Sequence, residues 1–414
     1  MNLIFLTKYY PFGADEAFIE NEISVMCRNF EKVCIIACEV PADETRKREL
    51  PENCVAVRIN SGANARKQKV QDSVHSISVL RSRDFVDEMN NTKGIPQKAF
   101  VRYFESKSQR IFERIKRSKT FRTFIKNDYV LYSYWFFVTA RIGTMISRIA
   151  PPVYMFMRAH RYDLYEERNR LNFLPYREAL IRKYDMVFPC SYDGEQYLQA
   201  KYPKYKDKIK ASYLGTLDHG INPPAEDDVF KMVSCSRVEP VKRVKRIAEA
   251  MAELAGKYNI EWVHIGDGSE FDQLESYIRK NKITDQCILK GQMQNADVME
   301  LYRQSHFDLF INVSSSEGLP VSVMEAMSFG IPVIATDVGG TSEIVNTETG
   351  ALLQENFKRE ELVSAIREMI EQPELREKKR NASRARWESY FQAIDNYEGL
   401  YTIIAEEVKK KTDF

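Results

Sequence analysis

Residues 307–336 read FDLFINVSSSEGLPVSVMEAMSFGIPVIAT, and their order decides the fold. FDLFIN (307–312) and PVIAT (332–336) are apolar nearly throughout rather than alternating, as parallel strands covered on both faces are. Between them Leu319-Pro320 favours a turn, with Pro320 at or just before the first position of a helix. In open α/β sheets ligands bind at the carboxyl ends of strands, where this loop falls. Glu317 ends the strand side of the loop, and Gly318 beside it permits close backbone approach to a ligand. Glu325 lies eight residues further on, two helical turns along, and can point back toward the same crevice. The free N–H groups of the helix start add donors for a polar ligand. A carboxylate accepting both hydroxyls of a ribose is the natural task for Glu325, and bonds of that kind contribute about 1.5–3 kcal/mol each. The plainer alternative is two surface glutamates flanking a helix start.

The same strand-then-helix rhythm extends in both directions. Upstream strand candidates are LIFLT (3–7), VCIIAC (33–38), CVAVRI (54–59), YVLYS (129–133), VYMFMR (153–158) and MVFPC (186–190). Helical segments such as Phe18 to Cys27 and Arg177 to Lys183 separate several of them. After a loop rich in Pro and acids, His219–Asp228, the rhythm restarts with FKMVSC (230–235), WVHI (262–265) and CILK (287–290). Helices are expected over Val244 to Lys257 and Asp297 to Gln304. A chain of 414 residues exceeds one ordinary core. Two doubly wound α/β domains account for the pattern: 1–218 with a basic insertion at about 60–128, then 229–380, followed by a helical segment 381–414. In that last segment Trp387, Phe391 and Leu400 are the apolar anchors.

Two further constellations carry chemistry. In CSRVEPVK (235–242), Arg237 and Lys242 stand five apart around a Pro turn, so both can converge on one diphosphate, Arg as a planar fork and Lys as a point charge. A solvated basic loop leading into Arg243, Lys245 and Arg246 is the alternative. HIGDG (264–268) runs from a strand into a Gly-rich turn without the spacing of a dinucleotide fingerprint, so Gly266 and Gly268 serve close backbone approach beside a nucleotide.

Composition narrows the classes. The seven cysteines, 27, 34, 38, 54, 190, 235 and 287, are scattered without metal-ligand spacing, which fits a reduced, cytoplasmic compartment. The apolar runs near the N-terminus and over Tyr129 to Ala140 are too short for a signal peptide core or a bilayer span. A net charge of +2 hides an asymmetry: residues 1–220 carry 37 Lys+Arg against 26 Asp+Glu, residues 221–414 carry 24 against 33. Between Lys98 and Lys126 ten basic residues meet only two acids, Glu105 and Glu113, with Phe104, Ile111 and Ile115 on one helical face. Such a helix can lie on an anionic membrane surface or, alternatively, face a core. No recognition motif accompanies the charge, so nucleic acid is not expected as a partner.

Together the R-x4-K pair (Arg237, Lys242), the GDG turn (266–268), the E-x7-E motif (Glu317, Glu325) and the run PVIATDVGGTSEIV (332–345) resemble family 4 glycosyltransferases, retaining enzymes of the GT-B fold. The resemblance implies two facing Rossmann-like domains with a cleft between them and a final helix returning to the first domain. It assigns Arg237 and Lys242 to the diphosphate of a UDP- or GDP-sugar, Glu325 to the ribose, and Glu317 with the amides of Gly318 and Leu319 to the transferred sugar. Gln292 and Met293 would flank the base. In the first domain YPFGADE (10–16) resembles the family's first loop, with Gly13 toward the diphosphate and Ala14 where a second glycine is usual. His160, in MFMRAHRYD (155–163), stands where the family often has a histidine near the scissile bond, and with Glu317 it forms the expected catalytic pair. No Asp-x-Asp motif appears, so transfer without metal or cofactor is expected. The acceptor is expected to be a saccharide on a polyprenyl diphosphate, reached from the cytoplasmic face of the plasma membrane, in surface polysaccharide synthesis. A nucleotide-sugar epimerase or phosphorylase, or a silent binding protein on the same scaffold, stays open at this point.

Overall fold

Every strand-to-strand pairing among the described residues is parallel. These come from a computed structural model, which describes residues 1–13, 15–60 and 82–413. The first sheet comprises β1 (Asn2–Thr7), β2 (Lys32–Val40), β3 (Cys54–Asn60), β4 (Tyr129–Ser133), β5 (Tyr154–Ala159) and β6 (Met186–Pro189), in the order β3-β2-β1-β4-β5-β6. The second comprises β7 (Phe230–Cys235), β8 (Ile260–Ile265), β9 (Cys287–Leu289), β10 (Leu309–Asn312), β11 (Val333–Thr336) and β12 (Gly350–Leu353), in the order β12-β11-β10-β7-β8-β9. Both follow the doubly wound plan, in which the strand order reverses between the first strand of the unit and its fourth. That reversal opens a crevice at the strand carboxyl ends, between β1 and β4 in one sheet and between β7 and β10 in the other.

The apolar runs became central strands because helices cover both faces. Every residue of β1, β4, β5, β10 and β11 is buried. β12 has no counterpart among the sequence-based strands. It is only four residues long and begins at Gly350, where a Cβ would lie 1.7 Å from the Val333 carbonyl oxygen. A short segment opening on glycine carries little strand signal.

Two compact units result, Met1–Ser212 with Tyr397–Phe414, and Tyr213–Asn396. The terminal stretch is two helices, Pro373–Tyr390 and Ala393–Thr412, not one. The break falls where Thr216 donates its N–H to the Phe391 carbonyl and accepts one from Ala393, and where a Cβ on Gly215 would come within 2.4 Å of Ala393 Cα. Trp387, Phe391 and Leu400 are all buried.

Over residues 82–128 the apolar face of the basic stretch meets the core, the second of the two partners open to it. These residues form helices Arg83–Asn91, Ile95–Arg117 and Lys119–Phe124. Phe104, Ile111, Ile115 and Phe121 are buried in the core of the first unit. The apolar face had two possible partners, and a sheet of unsatisfied aliphatic surface was the nearer one. Glu105, at the centre of this basic helix, is fully buried and holds Arg141 through bonds of 2.8 and 2.9 Å. The rest of the expected insertion, residues 61–81, lies outside the described residues. No helix among the described residues is long and apolar enough to cross a membrane.

Candidate functional site

The second unit carries most of the sequence-predicted residues in the segments that follow its strands β7, β8, β9 and β10. After β7 the chain turns outward through Ser236, Arg237 and Val238, and after β8 through Gly266, Asp267 and Gly268. A Cβ at Gly266, whose φ is +138°, would sit 1.9 Å from the Ser236 carbonyl oxygen. At Gly268 it would sit 2.5 Å from the Val238 carbonyl oxygen. The glycines therefore let two loops pack backbone to backbone. The bonds of Ser236 N–H to Ile265 and Val238 N–H to Asp267, both 3.0 Å, lock the pair. Beside this double loop opens a cavity of about 570 Å³, lined by Ser236, Arg237, Gly266, Gly268, Gln292 and Met293 among others. Volumes of roughly 300–1,000 Å³ suit small-molecule ligands.

Lys242 and Glu317 meet directly across the β7–β10 reversal, Nζ to Oε1 at 2.6 Å. Three contacts bring them together. Ser315 donates its N–H to the Val241 carbonyl at 2.8 Å. Arg243, in the left-handed region at φ 51°, sends its guanidinium to the carbonyls of Val313 (2.7 Å) and Ser314 (3.0 Å). Asn312 donates to Glu317 at 3.3 Å while its own oxygen takes the Ser314 hydroxyl at 2.6 Å. Behind the loop, a Cβ at Gly339 would fall 2.1 Å from the Glu317 carbonyl oxygen, and Gly340 donates to the Gly318 carbonyl at 2.8 Å. Gly318 and Leu319 are buried in this turn.

Glu325 lies in the helix Val321–Ser328 and is buried at 8% exposure. Its carboxylate accepts from Asn295 at 2.7 Å. Burial lifts its pKa to about 7, against the lowering effect of Asn295. Burial raises the thiol of Cys235 to about 12, with further upward pressure from Glu325 and an opposing effect of Lys242. Cys235 and Arg237 line the cavity, whereas Lys242, Glu317 and Glu325 are not among its lining residues. Sequence reasoning had missed Arg243, Asn312, Asn295 and Gly339. A basic residue entering a basic helix, or a lone Asn, carries no signal until the loops that it joins are placed.

The remaining predicted residues belong to the first unit. His160 follows β5 and is buried between Tyr134 (ring centroids 4.7 Å apart) and Trp135 (4.8 Å). Burial, reinforced by the Arg158 cation, drops its pKa to about 3, so the ring is neutral at physiological pH. The Asp163 carboxylate accepts the N–H groups of His160 (2.7 Å) and Phe136 (2.6 Å), fixing the turn. Gly13 adopts φ +72°, and its N–H is taken by the Arg46 carbonyl at 3.1 Å. Ala14 lies outside the described residues. Glu16, quoted within the first loop but given no role by sequence, organises it. Its buried carboxylate accepts from the N–H groups of Lys8 (3.2 Å), Tyr9 (2.6 Å) and Tyr10 (2.6 Å) and from the indole of Trp135.

A fold of two such Rossmann-like units is the GT-B architecture of glycosyltransferases. The chain superimposes on sucrose-phosphate synthase of Thermosynechococcus elongatus with a TM-score of 0.74 at 14% identity, covering 99% of this chain and 100% of that one. It superimposes on Anabaena Alr3699/HepE, solved in complex with UDP and glucose, with a TM-score of 0.66 at 15% identity, covering 98% and 99%. Residues 221–386 match the model of glycosyl transferases group 1. A lipopolysaccharide 1,6-galactosyltransferase of Escherichia coli is 30% identical over 143 residues, 33% of this chain and 39% of that enzyme. The chain spans only 32–40% of the length of the first curated relatives that it matches.

Proposed function

We propose that this protein is a glycosyltransferase that moves a sugar from a nucleoside-diphosphate sugar to a saccharide acceptor. The observation that carries the reading is the pairing of Lys242 with Glu317 at the β7–β10 reversal, beside a cavity bordered by Arg237. One cation for a diphosphate, Lys242, stands within a hydrogen bond of an acid for sugar hydroxyls, Glu317. The family match over 221–386 supports the same chemistry, as does a neighbour of like fold bound to UDP and glucose. An epimerase or phosphorylase gains no support from these comparisons.

In this reading the diphosphate lies against Arg237 and Lys242, the base near Gln292 and Met293, and the ribose on Glu325. Glu317, with Gly318 and Leu319, holds the transferred sugar. As the bond from the anomeric carbon to the phosphate oxygen breaks, negative charge grows on the leaving diphosphate, where Arg237 and Lys242 stabilise it. The new bond forms to an acceptor hydroxyl on the same face, and its proton passes to the departing phosphate. Retention of configuration follows, as in the family 4 enzymes that the motifs resemble. The cations take the charge that a metal would otherwise neutralise. His160, neutral at physiological pH, serves as a hydrogen-bonding group rather than a cation.

A lipid-linked acceptor, a role in surface polysaccharide synthesis and a peripheral position on the cytoplasmic face of the membrane complete the proposal. Exposed Arg102, Arg117, Lys119, Arg122 and Lys126 supply the surface charge, roughly 1 kcal/mol each at low salt. The apolar faces of the helices Ile95–Arg117 and Lys119–Phe124 are committed to the core, so contact would be electrostatic. Cosedimentation with anionic but not neutral vesicles is expected, and equal binding to both, or to neither, removes this part.

A thermal-shift panel of UDP-, GDP- and ADP-sugars tests the whole. A donor at 100 times its Kd stabilises by about 2.7 kcal/mol. No shift with any of them at millimolar concentration would end the transferase reading.

A further inference from the structure

A second cavity, of about 180 Å³, lies wholly within the first unit, and no motif of the sequence points to it. It sits at that unit's own strand-order reversal, lined from the β1 side by Lys8 and from the β4 side by Trp135 and Phe137. That is the position where doubly wound sheets bind ligands. Lys107, on the helix Ile95–Arg117, reaches into it and pairs with Glu39 of β2 at 2.7 Å. Their side chains keep only 19% and 12% of their exposure. Burial works against both cations, yet the Glu39 charge holds Lys8 and Lys107 above the ordinary lysine value, so both are charged. Lys107 is paired with Glu39 while Lys8 lines the same cavity, so the two cations outnumber the one carboxylate among its lining residues. Its other walls are aromatic. Phe137 and Tyr162 pack edge to face at 5.7 Å, and Trp135 is held by the Glu16 carboxylate against the His160 ring. Tyr162 is 66% exposed at the rim.

We propose that this cavity is the acceptor subsite and that it takes an anionic saccharide unit, a sugar bearing a carboxylate or a phosphate. The aromatic walls take the apolar face of a pyranose ring, and Lys107 with Lys8 takes the acidic group. Charge-assisted bonds of this kind are about twice as strong as neutral ones. The volume falls below the roughly 300 Å³ of an extended ligand site, which limits the subsite to one sugar unit. The word acceptor rests on the transferase reading above; the preference for an acidic sugar rests on this cavity alone.

Four probes separate the possibilities on the full chain by isothermal titration: methyl glucuronide, glucose 1-phosphate, neutral methyl glucoside and inorganic phosphate. The acidic sugars are expected to bind, with methyl glucoside at least about tenfold weaker. Which acidic sugar binds tells a uronate site from a phosphate site. Equal binding of methyl glucoside, or binding of inorganic phosphate as tight as that of glucose 1-phosphate, overturns the proposal. Two variants test the residues. Lys107→Met should weaken the acidic probe about tenfold, whereas Glu39→Gln, which removes the competing carboxylate, should tighten it. Both break the same ion pair, so a purely structural role would move both in one direction, and that outcome refutes the assignment. Should Lys107→Met fail to fold, as read by circular dichroism, Glu39→Gln decides alone: unchanged or weaker binding refutes. A parallel titration with UDP-, GDP- and ADP-glucose keeps the two readings apart. Donor binding without acidic-sugar preference sinks only this proposal, and acidic-sugar binding without any donor sinks the transferase.

Discussion

Replacing Lys242 by Met removes the cation from the 2.6 Å pair with Glu317 while keeping most of the side-chain volume. At an effective dielectric of 20, two unit charges about 4 Å apart attract by roughly 4 kcal/mol, and desolvation offsets part of that. Lys242 keeps 21% of its side-chain exposure and Glu317 only 8%. The pair therefore lies between an exposed bridge, worth about 0–1 kcal/mol, and a buried one, whose disruption costs about 3–5 kcal/mol. Asn312 continues to donate to Glu317, which lowers the loss further. We expect about 2 kcal/mol, or a drop of roughly 4–8 °C in the melting of the second unit. In the cycle with Glu317→Gln, the coupling should reach about 1–2 kcal/mol; additivity within about 0.5 kcal/mol would show that the pair contributes nothing. Ligand binding gives the sharper readout. The pair occupies Lys242 in the empty protein, so Glu317→Gln should free it for phosphate and tighten UDP about fivefold, roughly 1 kcal/mol. The same substitution should weaken UDP-sugar, because it removes the acid assigned to the sugar hydroxyls. Titration calorimetry with both ligands reads the split, and weaker UDP binding by Glu317→Gln would refute the competition on which the argument rests.

Five further outcomes are expected. Arg237→Ala should raise the donor KM and lower kcat, because charge on the diphosphate grows toward the transition state; unchanged kcat/KM would remove Arg237 from the site. Glu325 titrates at about 7 instead of 4.5 because it is buried, so the carboxylate needed for the ribose is lost as pH falls through 7. UDP-sugar affinity should fall on that side by up to about tenfold per pH unit, with no such slope in Glu325→Gln. For the empty protein the sign is opposite: the folded form holds a proton that the unfolded chain releases, so stability contributed at Glu325 declines as pH rises from 4.5 to about 7, and a pH series of melting curves checks it. Gly266→Ala should destabilise the second unit by more than about 3 kcal/mol and abolish donor binding, since its Cβ would stand 1.9 Å from backbone at φ +138°; a folded, binding-competent variant would contradict the loop packing. Ile115→Ala should cost about 2–5 kcal/mol by denaturant titration, as befits a core position rather than a membrane-facing one.

Most strands were legible in the sequence because parallel strands buried on both faces must be apolar throughout, a constraint that each short run satisfies by itself. YVLYS and FKMVSC became β4 and β7 without change of boundary. The motifs around Arg237, Lys242, Glu317 and Glu325 were also visible, since each pairs a strand end with chemistry-bearing residues at short spacing. The helix Ile95–Arg117 was harder: its apolar stripe is the same whether it meets lipid or protein, and only the position of the sheet decided between them. Tertiary structure alone joined Lys242 to Glu317, 75 residues apart, by way of Arg243 and the Gly339 turn. It alone brought Lys8, Glu39, Lys107 and Trp135 around one cavity. Local sequence sets the period and the polarity of each segment. Which segments meet depends on the order of strands in a sheet, which is settled by long-range packing.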